Sequence, residues 1–323
     1  MARFIVGHRL SKAIERAPWL ERVLYRLDHA FFSFLLWLIR LLPVDLASRL
    51  GSALGARLGT RFRKNRSVLE NFKIAFPQLD DDALAALSRE AWSNAGAVFA
   101  EYAHLQEIRD SQSPKRLEIV DLYDLSTLHT LNKPAVFVAA HQANWELSAA
   151  AVTLNKLPLS AVYSPPTNPL LDVLMQRWRQ HIDCGLIPRE DSMRPLMKAL
   201  SEGTSVGLIM DRRVDSGHPV SLFGHDKPTS LVAARLALKY DVPLIPVRVE
   251  RIKGAYFRVT VCPQIERPPA DDSDINRAAA MTESVHRLFE QWILERPGQW
   301  FPSKRLWPKS MYPRKTKAKA ATE

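Results

Sequence analysis

Between residues 117 and 262, short apolar runs alternate with stretches of helical periodicity. PAVFVAA (134–140) follows a Lys-Pro break, and LSAVY (159–163), SVGLIM (205–210) and LIPVRVE (244–250) are further runs rich in β-formers. YFRVTVC (256–262) alternates apolar and polar positions, as a half-buried strand does. Residues 145–154, 170–181, 193–201 and 229–240 carry apolar positions at helical spacing, and 274–295 reads as a long C-terminal helix. Strand–helix alternation of this kind predicts an α/β fold with a mixed, partly parallel sheet flanked by helices.

The first hundred residues read as helices. Val68, Phe72, Ile74 and Ala75 share roughly one face of NRSVLENFKIAFPQL, Pro77 breaks the chain, and Asp80, Asp81 and Asp82 then supply an acidic helix start. Upstream lies AFFSFLLWLIRLLPV (30–44), roughly fifteen residues where a membrane span needs ~20. Leu46, Leu50, Leu54 and Leu58 continue it at helical spacing. A short tilted span, a helix lying in the membrane interface and a buried core helix all fit this pattern. The run starts too late and lacks the cleavage site of a signal peptide. These boundaries predict a membrane-associating helical region over 1–64, an α/β domain over 65–309 and a basic disordered tail over 310–323.

Charge sharpens the picture. The chain of 323 residues has a formal net charge of +11, which points to anionic partners: lipid head groups, nucleic acid or an acidic carrier protein. The excess is clustered at Arg57, Arg61, Arg63, Lys64 and Arg66, directly after the apolar stretch, and again from Lys304 to Lys319. No reader motif for nucleic acid accompanies either cluster, so no nucleic-acid partner is expected. Cys184 and Cys262 match no metal spacing, which fits a reducing compartment and an expectation of no metal.

Candidate chemistry sits in His141-Gln142-Ala143-Asn144-Trp145-Glu146, directly after the run 134–140. In α/β sheets, ligands and chemistry gather at the carboxyl ends of strands. On one continuous helix His141 and Glu146 would stand ~140° apart. With the histidine in the turn and the glutamate in the first helical turn, the chain can fold back, and Glu146 can accept a hydrogen bond from one ring nitrogen. The other nitrogen is then free to take a proton from an alcohol. The residues alone leave blander roles open: a structural histidine, a Glu146 that complements the helix dipole, an Asn144 that caps the helix. Gly203-Thr204-Ser205-Val206-Gly207 matches the G-x-S-x-G nucleophile elbow, but a helical pattern precedes it and a strand follows. That is the reverse of what the elbow needs, and Gly203 reads as a helix C-cap.

HQANWE after an apolar strand resembles the H-x4-D/E signature of glycerolipid and lipid A acyltransferases. NFKIAFP (71–77), SPPTNPLLDVLMQRWR (164–179) and GLIMDRRVDSGHPVSLFG (207–224) resemble further blocks of the lipid A late-acyltransferase family, in the same order. The likeness runs from about residue 30 to 308. It implies a glycerolipid acyltransferase-like fold and an O-acyltransferase of bacterial lipid A (lipopolysaccharide) biosynthesis. The implied donor is acyl carrier protein with its phosphopantetheine thioester, and the acceptor a hydroxyl of a lipid A precursor. No other cofactor is implied. The implied place is the inner membrane, with the catalytic domain on the cytoplasmic side. His141 would be the general base and Glu146 its partner, with Arg179, Asp211, Asn144 and Arg212 binding substrate. Read without the resemblance, Arg179 either pairs with a phosphate or oxyanion or lies on a solvated face, Asp211 could cap the next turn, and Arg212 and Arg213 either meet head-group phosphates or are solvated. QWFPSKRLW resembles the family's closing block but has Ser303-Lys304 where the family has a histidine, so no role is assigned there. A lysophospholipid or other glycolipid acyltransferase would use the same chemistry, and a non-enzymatic lipid-binding protein would need only the apolar and basic segments.

Overall fold

Residues 18–313 are described by a computed structural model. Helices come first: α1 (Pro18–Arg40), α2 (Val44–Leu58), α3 (Asn65–Ala75), α4 (Asp81–Glu101) and α5 (Leu105–Asp110). The α/β part follows: β1 (Leu117–Asp121), α6 (Ser126–Leu131), β2 (Val136–Ala139), α7 (Ser148–Thr153), β3 (Leu159–Tyr163), α8 (Pro169–Arg179), β4 (Gly185–Pro188), α9 (Met193–Ser201) and β5 (Ser205–Ile209). It continues with β6 (His218–Leu222), β7 (His225–Thr229), α10 (Val232–Lys239), β8 (Leu244–Lys253), β9 (Tyr256–Val261) and α11 (Asp274–Glu295). Capping residues set several of these starts. Asp80 accepts from the Ala83 amide at the head of α4, and Asn168, with Pro169 next to it, accepts from Leu170 at the head of α8.

The main sheet has seven strands in the order β1-β9-β8-β2-β5-β3-β4, and every neighbouring pair is parallel except β8 with β9. β6 and β7 form a separate antiparallel hairpin. The α/β fold with a mixed, mostly parallel sheet is thus as the alternation predicts. β2 is apolar on both faces because helices cover both. Val136 and Val138 enter one hydrophobic cluster with α10 and α11, while Phe137 enters the other with α7.

Helices α2 and α4 cross at glycines. A Cβ on Gly96 would lie 2.2 Å from the Gly51 carbonyl oxygen and 2.8 Å from the Gly55 Cα. An interior helical glycine costs about 1 kcal/mol relative to alanine, so close backbone approach is what these glycines provide. Gly96→Ala is expected to lower stability by ~1–3 kcal/mol through overpacking, read as a lower denaturation midpoint with unchanged slope. The same crossing joins the helices before residue 64 to the rest of the fold.

Helix α1 presents Trp19, Val23, Leu27, Phe31, Phe34 and Leu38 along one side, and Trp19 and Phe34 are 63% and 61% exposed. Leu24, Asp28 and Leu36 are buried on the other side. The core-helix reading of residues 30–44 is therefore corrected: the apolar side faces outward. Nor is any helix among the described residues long and apolar enough to cross a membrane. The predicted tail lies largely outside the described residues, as do all its basic residues from Arg314 onward.

Candidate active site

Strands β2 and β5 run parallel in a register that pairs Ala139 with Ile209. The Met210 amide extends the ladder to the Ala139 carbonyl. Both strands stop there, and the residues that follow, His141 and Asp211, continue in step although 70 positions apart in sequence. His141 Nδ1 lies 2.6 Å from Asp211 Oδ1, the His141 amide donates to Oδ2 at 3.1 Å, and Trp300 Nε1 donates to Oδ2 at 3.0 Å. Every partner of Asp211 is a donor, which a carboxylate satisfies and a protonated acid does not. Burial alone would raise this carboxyl. The His141 charge and the hydrogen bonds from the ring and Trp300 outweigh that and hold it well below the usual carboxylate range. Nδ1 therefore carries a proton, and whenever the ring is neutral Nε2 is its lone-pair acceptor.

The turn that carries the histidine is locked on all sides. Ala143 has φ of 47°. Its amide donates to the Gln299 carbonyl at 2.8 Å, and Phe301 N donates to His141 O at 3.1 Å. Gln142 Nε2 donates to Trp292 O at 2.8 Å. Asn144 is fully buried and donates to Glu101 Oε2 at 3.0 Å. Glu101, itself fully buried, also accepts from Ser48 and from both terminal nitrogens of Arg251. Arg251→Met would leave that carboxylate buried without its cation. It is expected to cost ~3–5 kcal/mol in denaturant unfolding, while Glu101→Gln combined with Arg251→Met costs less than the single change.

Three sequence expectations are corrected by this geometry. Glu146 does not hold the His141 ring: it sits in the 3₁₀ turn Trp145–Leu147 and takes a two-point ion pair from Arg179, at 2.9 and 2.6 Å. The positive φ at Ala143 turns the chain so that the glutamate meets the end of α8 instead. Asp211, expected to bind substrate, is 3% exposed and stands behind the ring. Asn144, expected to bind substrate or cap a helix, makes no capping bond and spends its amide on Glu101. Arg179 reaches the cavity but already serves Glu146, between the rings of Tyr102 and Tyr163. Arg212 lines the cavity, while Arg213 turns away to the Trp307 carbonyl and Asp215.

That cavity, about 710 Å³, lies against His141 at the carboxyl edge of the sheet. Its walls are largely apolar, with Phe99, Trp145, Met175, Leu196, Leu208 and Phe301 among them. Trp145 packs edge-on to the His141 ring, centroids 5.2 Å apart. Cys184 also lines the cavity, but burial first and the Glu146 charge second push its thiol up to about 12, so it is no thiolate nucleophile. Gly203 (φ 78°) follows α9 and precedes β5, which disposes of the nucleophile elbow.

Two structural contributors carried no usable sequence signal. Trp300 lies in the closing block to which no role is assigned. Lys227, fully buried in β7, donates to the carbonyls of Met210 and Arg212 on either side of Asp211, both at 3.3 Å, and burial pushes its ammonium down to about 8. A lysine next to a proline in a polar stretch reads as solvated surface.

Comparison with known proteins places this chain among acyltransferases. The sequence model of the family described as bacterial lipid A biosynthesis acyltransferase matches residues 19–309, and the chain belongs to that family. It is similar to the lipid A biosynthesis lauroyltransferase of Escherichia coli (strain K12), 25% identical over 273 residues that cover 82% of this chain and 86% of the relative. The lipid A biosynthesis palmitoleoyltransferase of the same organism is 24% identical over 270 residues, with coverage of 82% and 86%. A lipid A biosynthesis acyltransferase of Haemophilus influenzae is 23% identical over 286 residues, with coverage of 83% of each chain. Among solved structures, the 1-acyl-sn-glycerophosphate acyltransferase of Thermotoga maritima matches 78% of this chain and 96% of its own, at 13% identity and a TM-score of 0.36.

Proposed function

We propose that this acyltransferase moves a fatty acyl chain from the thioester of acyl carrier protein to a hydroxyl of a lipid A precursor, with His141 as general base. The observation that carries the reading is an imidazole with Nδ1 fixed by Asp211 and Nε2 free of any hydrogen bond among the described residues, on the wall of a largely apolar cavity. The acceptor hydroxyl gives its proton to Nε2 as its oxygen attacks the thioester carbonyl. Arg212, a cavity guanidinium with no carboxylate ion pair among the described residues, favours the tetrahedral oxyanion. Collapse breaks the carbon–sulfur bond, and the imidazolium returns the proton to the departing thiolate. No acyl-enzyme is needed. Glu146 and Arg179 shape the cavity wall and do not touch the moving proton.

The outward apolar side of α1 seats the protein on the inner membrane, on the cytoplasmic side where acyl carrier protein is found. Its side chains suit a helix lying in the interface. α1 also adjoins the cavity: Phe32 packs edge-on to cavity-lining Phe99, and Asn168 of the α8 cap donates to Tyr25 O at 3.0 Å. Labelled acyl carrier protein supplied with either a lipid A precursor or a lysophospholipid tests the acceptor. Label should appear in the first, and mass spectrometry of lipid A from a deletion strain should show one acyl group missing. Label in the lysophospholipid alone would sink the acceptor assignment.

A further inference from the structure

Lys227 is a charged residue in a place that an apolar one could fill. On β7 it pairs with Val220 of β6, and both side chains are buried, Lys227 fully. An apolar residue at position 227 would serve the hairpin as well. Burying an ammonium group is costly unless its donors are taken. Lys227 Nζ spends two of its three N–H donors on the carbonyls of Met210 and Arg212, at 3.3 Å each, and it forms no ion pair among the described residues.

Those two carbonyls bracket Asp211. The β2–β5 ladder ends at the Met210 amide, which donates to Ala139 O, and no other donor among the described residues reaches the Met210 or Arg212 carbonyl. The Val214 amide donates to Pro228 O at 2.9 Å, so the same segment is also held against β7 through its backbone. The Asp211 carboxylate is fixed by the His141 ring and amide and by Trp300. The backbone that carries it is fixed by Lys227. Burial lowers the ammonium, and the Asp211 charge is what works against that. His286 of α11, also fully buried, feels the same ammonium. Its Nδ1 lies 2.7 Å from Ser221 O, so the proton sits there, and Nε2 has no partner. Burial first and the Lys227 charge second push this imidazole down to about 3, so it adds no second cation behind Asp211.

We propose that Lys227 is a positioning residue for acyl transfer: by holding the Met210 and Arg212 carbonyls, it sets the backbone from which Asp211 aims its carboxylate at His141 Nδ1. This rests on the reading of His141 as the general base. Lys227 does not line the cavity and touches neither substrate nor the moving proton. It acts through the aim of Asp211, and a misplacement of about 1 Å at a reacting group can cost ~100-fold in rate. The competing role is a lysine that only anchors the β6–β7 hairpin, and the two roles differ in what they predict for His141.

The test is Lys227→Met, which keeps an unbranched stem and removes the donors. In the folded variant kcat should fall ~10–100-fold, with KM for the carrier thioester and for the acceptor unchanged. The low-field proton of the short bond between His141 Nδ1 and Asp211, read by NMR, should move upfield or broaden. In an Asp211→Asn background the same substitution should lower kcat by less than ~3-fold, because residues that act as one unit are not additive. A hairpin anchor would leave the imidazole proton and kcat per folded molecule as they are, or would lower kcat equally in both backgrounds, and either result would overturn the proposal. Should Lys227→Met fail to fold, Lys227→Gln keeps two donors on a side chain one bond shorter, and the same three readouts apply to it, with a smaller loss of kcat. If His141→Ala retains turnover, the reading of the base fails, and the imidazole proton in the Lys227 variant then decides the positioning role by itself.

Discussion

His141→Ala is expected to lower the rate of acyl transfer ~100-fold or more while the protein stays folded. Proton transfer by a positioned imidazole contributes about 10²–10⁴ in rate, and this ring is the cavity-facing base with a carboxylate behind it. The fold should survive, because the turn is held through its backbone: Ala143 N to Gln299 O, and Phe301 N to His141 O. Asp211 loses one donor and keeps Trp300 Nε1 and the residue-141 amide, at a cost of ~1–3 kcal/mol. Initial rates under saturating acceptor, with circular dichroism at the same temperature, separate the two effects. Retained turnover in a folded variant would remove the base from the mechanism.

Asp211→Asn is expected to cost nearly as much, for a different reason. The carboxylate accepts from three donors. An amide of the same shape can keep the bonds from Trp300 and the His141 backbone only by turning its oxygen toward them, so its NH₂ faces Nδ1. The ring must then accept at Nδ1 and carry its proton on Nε2, where it cannot take another. In a serine-protease triad the equivalent change lowers kcat about 10⁴-fold, and ~10³-fold is a reasonable expectation here. Glu146→Gln makes the contrast. It weakens the ion pair with Arg179 and should act mainly on stability and KM, because it leaves the His141–Asp211 contact alone. If kcat fell further in Glu146→Gln than in Asp211→Asn, the pairing seen here would not be the working one.

The contrast also marks what could be read from the sequence. The histidine was legible because an apolar run ends just before it and chemistry gathers at such ends. Its partner was not, because Asp211 reaches it through the register of β2 against β5, and register between strands is a tertiary property. Sequence proximity pointed to Glu146, and a single left-handed residue, Ala143, sent that side chain elsewhere. The fold class and the central strands were readable from alternation. The β6–β7 hairpin was not, since Pro219 and Pro228 face each other within it and proline argues against a strand. The strand Gly185–Pro188 is too short to stand out from its surroundings. For the apolar stretch, periodicity gave a helix, but only burial could tell which side faced the protein.

The contacts made by residues 299–301 carry one more implication. Gln299 accepts from the histidine turn, Trp300 completes the shell around Asp211, and Phe301 binds the histidine carbonyl. These residues leave the ribosome after every other contributor to the constellation, so a nascent chain that already exposes its greasy helix would still lack the clasp that sets the imidazole. Any membrane encounter of that helix during synthesis would then precede the setting of the site.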